Sequence, residues 1–174
     1  MDDKPRLQRE KLLGAAEGYL TLGMHAHALA SLDEIERSGE ADFELHFLRG
    51  EVLRALERHD EALATFHRAF EEKPNDVGLL MAMAWCYKRT KQLPQAITSM
   101  EQAYRLSPKE AVILYNLSCY WSLAGNKTQS LSWLGRALRL DRKLRRLIDD
   151  ETDFDPLRHD PDFQLVIGTV EPAP

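Results

Sequence analysis

The side chains in this 174-residue chain with chemistry to offer are a histidine pair, an acidic run, two cysteines and a basic cluster. His25 and His27 flank Ala26 in a turn between helical patterns, where alternating imidazoles could share a metal. A structural site needs three or four ligands, and no cysteine or further histidine pattern accompanies them, so they read as solvated or helix-end residues. His59, Asp60 and Glu61 read as turn and first-turn helix residues, the acids being favoured by the helix dipole. The acids from Asp149 to Asp155 lack the glycine and spacing of a calcium loop. Neither a phosphate-cradling glycine loop nor a nucleophile elbow occurs. Arg139, Arg142, Lys143, Arg145 and Arg146 are expected to pair with Asp141, Asp149 and Asp150, a charged partner being the alternative. Nothing here calls for catalysis, a cofactor or a metal.

Composition narrows the class further. With 44% hydrophobic and 29% charged residues the chain reads as an ordinary soluble globular protein. The net charge of −5 is concentrated at the end: residues 149–174 carry eight acids against Arg158, a net of −7, leaving +2 for the rest. A near-neutral body gives no electrostatic footprint for nucleic acid, and no stretch approaches the roughly 20 apolar residues of a membrane span. The start, MDDKPRLQRE, lacks the apolar core of a secretory signal. Cys86 and Cys119 fall in helical patterns and are expected as reduced thiols in a cytoplasmic setting.

What must position these residues is a repeat. Ala28, Ala62, Ala96 and Ser130 are spaced by thirty-four residues, as are Tyr19, Leu53, Tyr87 and Trp121. A fixed period of this kind marks supersecondary units that bury their apolar faces only by stacking. The units are 9–42, 43–76, 77–110 and 111–144, each with two helical patterns around a short polar break. Gly50, Ala84 and Ser118 on first helices, with Ala62, Ala96 and Ser130 on second helices, mark close crossings where a large side chain would hold the axes apart. Pro74 and Pro108 close second helices, and Asn75 and Asp76 suit turn and N-cap positions. Gly14 and Gly18 predict a frayed first helix, at about 1 kcal/mol each. Arg142, where proline closes the two units before it, predicts that the last repeat helix continues toward Ile148.

Gly50, Ala62, Phe66, Ala69 and Pro74, then Tyr87, Ala96, Ala103 and Pro108, resemble the tetratricopeptide repeat, whose pattern runs W-x2-L-G-x2-Y, A-x3-F, A and P. The resemblance implies an all-α, right-handed α-solenoid of about four helical hairpins, with first helices lining a concave groove, and a protein-interaction scaffold or adaptor rather than an enzyme. From residue 145 the step breaks. RRLIDDETDFDPLRHDPDFQLVIG resembles the closing region of many bacterial proteins of this kind, which implies a bacterial source and a capping region over 145–168. Leu144, Leu147, Ile148, Phe154, Leu157, Phe163, Val166 and Ile167 supply apolar material to cover the last repeat. The alternative is that this segment, from the same or a neighbouring molecule, lies across the groove. Residues 1–8 are read as a flexible N-terminus and 169–174 as a loose tail.

In family register the groove-facing positions include Leu13, Glu17, Phe47, Leu48, Glu51, Arg54, Met81, Trp85, Lys88, Arg89, Tyr115, Asn116 and Cys119. Phe47, Leu48, Met81, Trp85 and Tyr115 would form an apolar strip, with Arg54, Lys88 and Arg89 at one lip. The lysine and asparagine clamp by which co-chaperones of this family grip a C-terminal carboxylate is absent from either three-unit window. The expected ligand is therefore an apolar or amphipathic segment of a protein partner, with homo-oligomerisation through the strip as the alternative.

Overall fold

The same backbone turn recurs four times at the thirty-four-residue step. In the computed structural model, which describes residues 4–168, Gly23, Glu57, Lys91 and Gly125 have φ of 71°, 59°, 62° and 74°. Each left-handed residue ends a helix, and the next residue's amide closes back on the carbonyl of Tyr19, Leu53, Tyr87 or Trp121 at 2.8–3.0 Å. This 6→1 bond satisfies a carbonyl that the helix end would otherwise leave unpaired. The aromatic or leucine step seen in the sequence thus coincides with a hydrogen-bonding step in the backbone.

Eight helices follow from this punctuation: α1 Lys4–Thr21, α2 His25–Arg37, α3 Phe43–Ala55, α4 His59–Glu72, α5 Val77–Arg89, α6 Leu93–Leu106, α7 Ala111–Leu123 and α8 Lys127–Leu140. Two further short helices, α9 Arg145–Ile148 and α10 Pro161–Gly168, alternate with 3-10 segments at Arg142–Leu144 and Thr152–Leu157. Side chains cap three helix starts, Asp76 among them as expected. Asp42 accepts from the Leu45 amide at 3.1 Å, Asp76 from Leu79 at 2.8 Å, and Asn126 from Gln129 at 3.1 Å.

The chain divides after Cys86 into two compact bodies. In the first, α1 packs on α2 and α3 on α4, around Ala16, Ala28, Leu32, Ile35, Leu45 and Val52. Gly50 shows why small residues sit at the crossings: a Cβ there would lie 2.3 Å from the Phe66 ring. In the second body α7 packs against α6 and α8, and α10 rests on α8. Here the crossing pair is polar but satisfied, with Ser130 Oγ donating to the Ser118 carbonyl at 2.8 Å. Ser118 Oγ in turn donates to the Tyr115 carbonyl at 2.6 Å.

Two expectations fail. Helix α1 begins at Lys4 and runs unbroken through Gly14 and Gly18, so residues 4–8 are helical rather than loose. The apolar face of Leu12, Leu13, Tyr19 and Leu20 packs on the first core and outweighs the glycine cost. The remaining ends expected to be loose, 1–3 and 169–174, lie outside the described residues. Nor does α8 continue toward Ile148. It stops at Asp141, whose φ of −143° matches Lys73 (−134°) and Ser107 (−137°) before the two closing prolines. Asp141 does the work of proline by accepting the Lys143 amide at 2.9 Å, which favours a new turn over a longer helix.

The segment after α8 is well anchored. Phe154 and Phe163 are fully buried with ring centroids 5.4 Å apart, and removing each from water is worth about 2–3 kcal/mol. Both Asp-Pro steps do what turn chemistry suggests. Pro156 lies inside a 3-10 segment, and Pro161 opens α10, where Asp160 caps the Asp162 amide at 2.9 Å. Lys127 closes this end by pairing with Asp160 and Asp162, each at 2.7 Å, and holds the Asp160 carboxyl below its usual range.

Candidate functional site

Helices α3 and α5 carry most of the residues of the first body that were expected to face the groove. Trp85 on α5 is half-buried, with the His59 ring edge-on at 5.1 Å and the Arg54 guanidinium 5.1 Å above its face. A guanidinium over an indole is attracted by the ring quadrupole. Glu51 holds that guanidinium in place, accepting from its Nε at 3.0 Å and its Nη2 at 2.7 Å. The bidentate bond raises the Arg54 pKa, against the opposing effect of burial. Met81 lies one helical turn before Trp85 and is half-buried, so α5 presents a thioether and an indole beside the braced cation of α3.

The other expected groove residues of this body are partly committed elsewhere. Leu13 and Leu48 pack on the core formed by α1, α2 and α3, while Glu17 is exposed. Phe47 is half-buried, stacked on Phe43 at 5.7 Å and 6.1 Å from the Phe66 ring. Beneath the face lies Cys86, whose thiol burial pushes up to about 11, Arg54 pulling the other way.

In the second body the expectation is corrected. Tyr115 and Cys119 are buried, only 4% and 2% exposed, because the 3-10 segment Thr152–Leu157 packs against α7. The Phe154 ring meets Tyr115 edge-on at 5.8 Å, and Asp153 takes the Lys88 ammonium at 2.5 Å. The acidic segment therefore covers the face of α7 that carries Tyr115 and Cys119. Asn116 is half-buried and Arg89 exposed.

Burial, reinforced by Glu151 and Asp153, pushes the Cys119 thiol and the Tyr115 phenol upward, so both stay neutral. Cys119, Glu151 and Asp153 bring one ligand atom each within 4.8 Å of one another, a grouping that the sequence spacing did not reveal. Lys88 already supplies the counter-charge there. His59 was likewise missed as a partner of Trp85, because a turn position carries no sign of which neighbouring helix it will meet. Asp153 was read only as one of a run of acids; its burial follows from the adjoining Phe154, which draws it onto α7.

No helix among the described residues is long and apolar enough to cross a membrane. No curated protein matches the chain by sequence. A tetratricopeptide-repeat family profile matches residues 53–100. Among solved structures, YrrB, described as a TPR protein with an unusual peptide-binding site, is 22% identical with a TM-score of 0.73, covering 80% of this chain and 72% of its own. MamA from Desulfovibrio magneticus RS-1 is 19% identical with a TM-score of 0.73, covering 78% and 76%. The PilF protein of Pseudomonas aeruginosa is 16% identical with a TM-score of 0.71, covering 98% and 80%. The profile match over residues 53–100 and the shared fold agree with an all-α architecture of helical hairpins like that of tetratricopeptide-repeat proteins.

Proposed function

We propose that this chain is a protein-interaction module that binds an apolar or amphipathic segment of a partner protein on the face formed by α3 and α5. The observation that carries this reading is the half-buried Trp85 with Arg54 held above it and Met81 one turn away. Tryptophan and arginine are the residues that most often dominate the energy of protein interfaces, because they bury large area and pair specifically. In the unbound chain Glu51 holds the guanidinium over the indole. That YrrB, which shares the fold, has a peptide-binding site supports a peptide as the kind of ligand. Aromatic and cationic surface of this sort suits recognition rather than catalysis.

The test is affinity capture from the source cells with wild-type bait and a Met81→Glu/Trp85→Ala double variant. Partners recovered by wild type should be absent from the variant, while circular dichroism shows equal helicity. Identical recovery on both baits would sink the reading.

A further inference from the structure

The covered face of α7 and the α5 face are the same constellation one repeat apart. Tyr115, Cys119 and Lys88 lie thirty-four residues after Met81, Trp85 and Arg54 respectively. On α7 the occupant is visible: Asp153 reaches Lys88 at 2.5 Å, Phe154 lies edge-on to Tyr115 at 5.8 Å, and Leu157 is buried after them. The occupant orders itself. Glu151 accepts the Asp153 amide at 3.2 Å, and Arg158 donates to the Glu151 carbonyl at 2.8 Å, closing a tight 3-10 turn.

We infer that the α5 face recognises a segment of the same chemistry in a partner protein: an acid, then an aromatic residue, then an apolar residue three positions on, folded as a short turn. This rests on the proposed function and specifies its ligand. The fit is chemical at each position. Arg54 is a better carboxylate fork than Lys88, since its planar guanidinium binds bidentately. Met81, unbranched and polarizable, accepts an aromatic ring where Tyr115 does on α7. Trp85 offers more apolar area than Cys119. Glu51 currently supplies the acid on Arg54, as Asp153 does on Lys88, so an incoming carboxylate would exchange with it.

The probe is a fluorescein-labelled peptide of residues 150–159, DETDFDPLRH, added to the full chain and followed by fluorescence polarization. Saturable binding is expected, weakened at least tenfold by Trp85→Ala or by Arg54→Glu in the protein. Arg54→Met serves as the second variant if charge reversal disturbs folding. The same loss is expected for Phe154→Ala or Asp153→Lys in the peptide. Glu51→Gln should tighten binding severalfold, because it removes the competing carboxylate. Lys88→Met, which disturbs the cap instead, should not weaken it. Four results would overturn the inference: no binding up to millimolar protein, binding indifferent to Trp85 and Arg54, loss only with Lys88→Met, which would mean exchange with the cap on α7, or equal Trp85-dependent binding of the Asp153→Lys peptide. The last would leave the interaction face standing and reject only its acidic ligand. Failure of the α5 face as an interaction surface would instead show as unchanged recovery in the capture experiment.

Discussion

Lys88 and Asp153, sixty-five residues apart, form an ion pair at 2.5 Å with only 10% of the aspartate side chain exposed. Removing one partner of a buried pair leaves the other without compensation. Lys88→Met should therefore destabilise the second body by about 3 kcal/mol, the low end for such pairs because the lysine is partly solvated. Adding Asp153→Leu should recover most of that loss. Urea melts of the two single variants and the double variant complete the cycle; additive losses would show that the pair contributes no coupling.

The turns ending α1, α3, α5 and α7 give a second prediction. Glu57 and Lys91 occupy a left-handed conformation that glycine fills at Gly23 and Gly125. The strain for a side chain there is about 1–2 kcal/mol, offset in part by the chain entropy that glycine loses on folding. Glu57→Gly and Lys91→Gly should each stabilise the protein by about 0.5–1 kcal/mol, and Gly125→Ala should destabilise it by a similar amount. Thermal melts decide this, and a lower melting temperature for both glycine variants would contradict it.

Those four turns also show what could be read in the sequence and what could not. The period located every helix pair, since Ala62, Ala96 and their neighbours have a steric reason to recur. It did not announce the left-handed residues at the two middle turns, because Glu57 and Lys91 stand where glycine, as at Gly23 and Gly125, would have signalled the conformation. Helix ends were legible where a proline or a capping aspartate marks them, and misread at Asp141, where one aspartate stands in for proline. The site was legible as a list of face positions, but occupancy is a tertiary matter. Tyr115 and Cys119 carry the same register as Met81 and Trp85, yet only the packing of Phe154 shows which pair is covered.

Gly50 tests the close crossing of α3 and α4. An added Cβ would meet the Phe66 ring at 2.3–2.8 Å, and Phe66 is fully buried, so the ring has no open space to enter. Gly50→Ala should cost about 1–3 kcal/mol by overpacking, despite the better helix propensity of alanine. Combining it with Phe66→Leu should be less damaging than the sum of the two changes. Full additivity in denaturant melts would place the clash elsewhere.

Cys86 links the interior of the first body to alkaline pH. Its thiol is fully buried with its pKa pushed up from 9.0 to about 11, chiefly by loss of solvation. The folded state thus holds the proton more tightly than the unfolded state. The resulting stability is fully present below pH 9.0, falls as pH rises through the window up to about 11, and is lost above it. Cys86→Ala should make stability fall less steeply across that window, measured by urea melts at stepped pH against wild type. A thiol reagent supplies an independent readout: at pH 8 the native chain should react far more slowly than the unfolded chain, because the thiolate is the nucleophile and burial suppresses it. Rapid labelling of Cys86 in the native protein, located by peptide mass spectrometry, would show that the face carrying Trp85 and Arg54 opens readily.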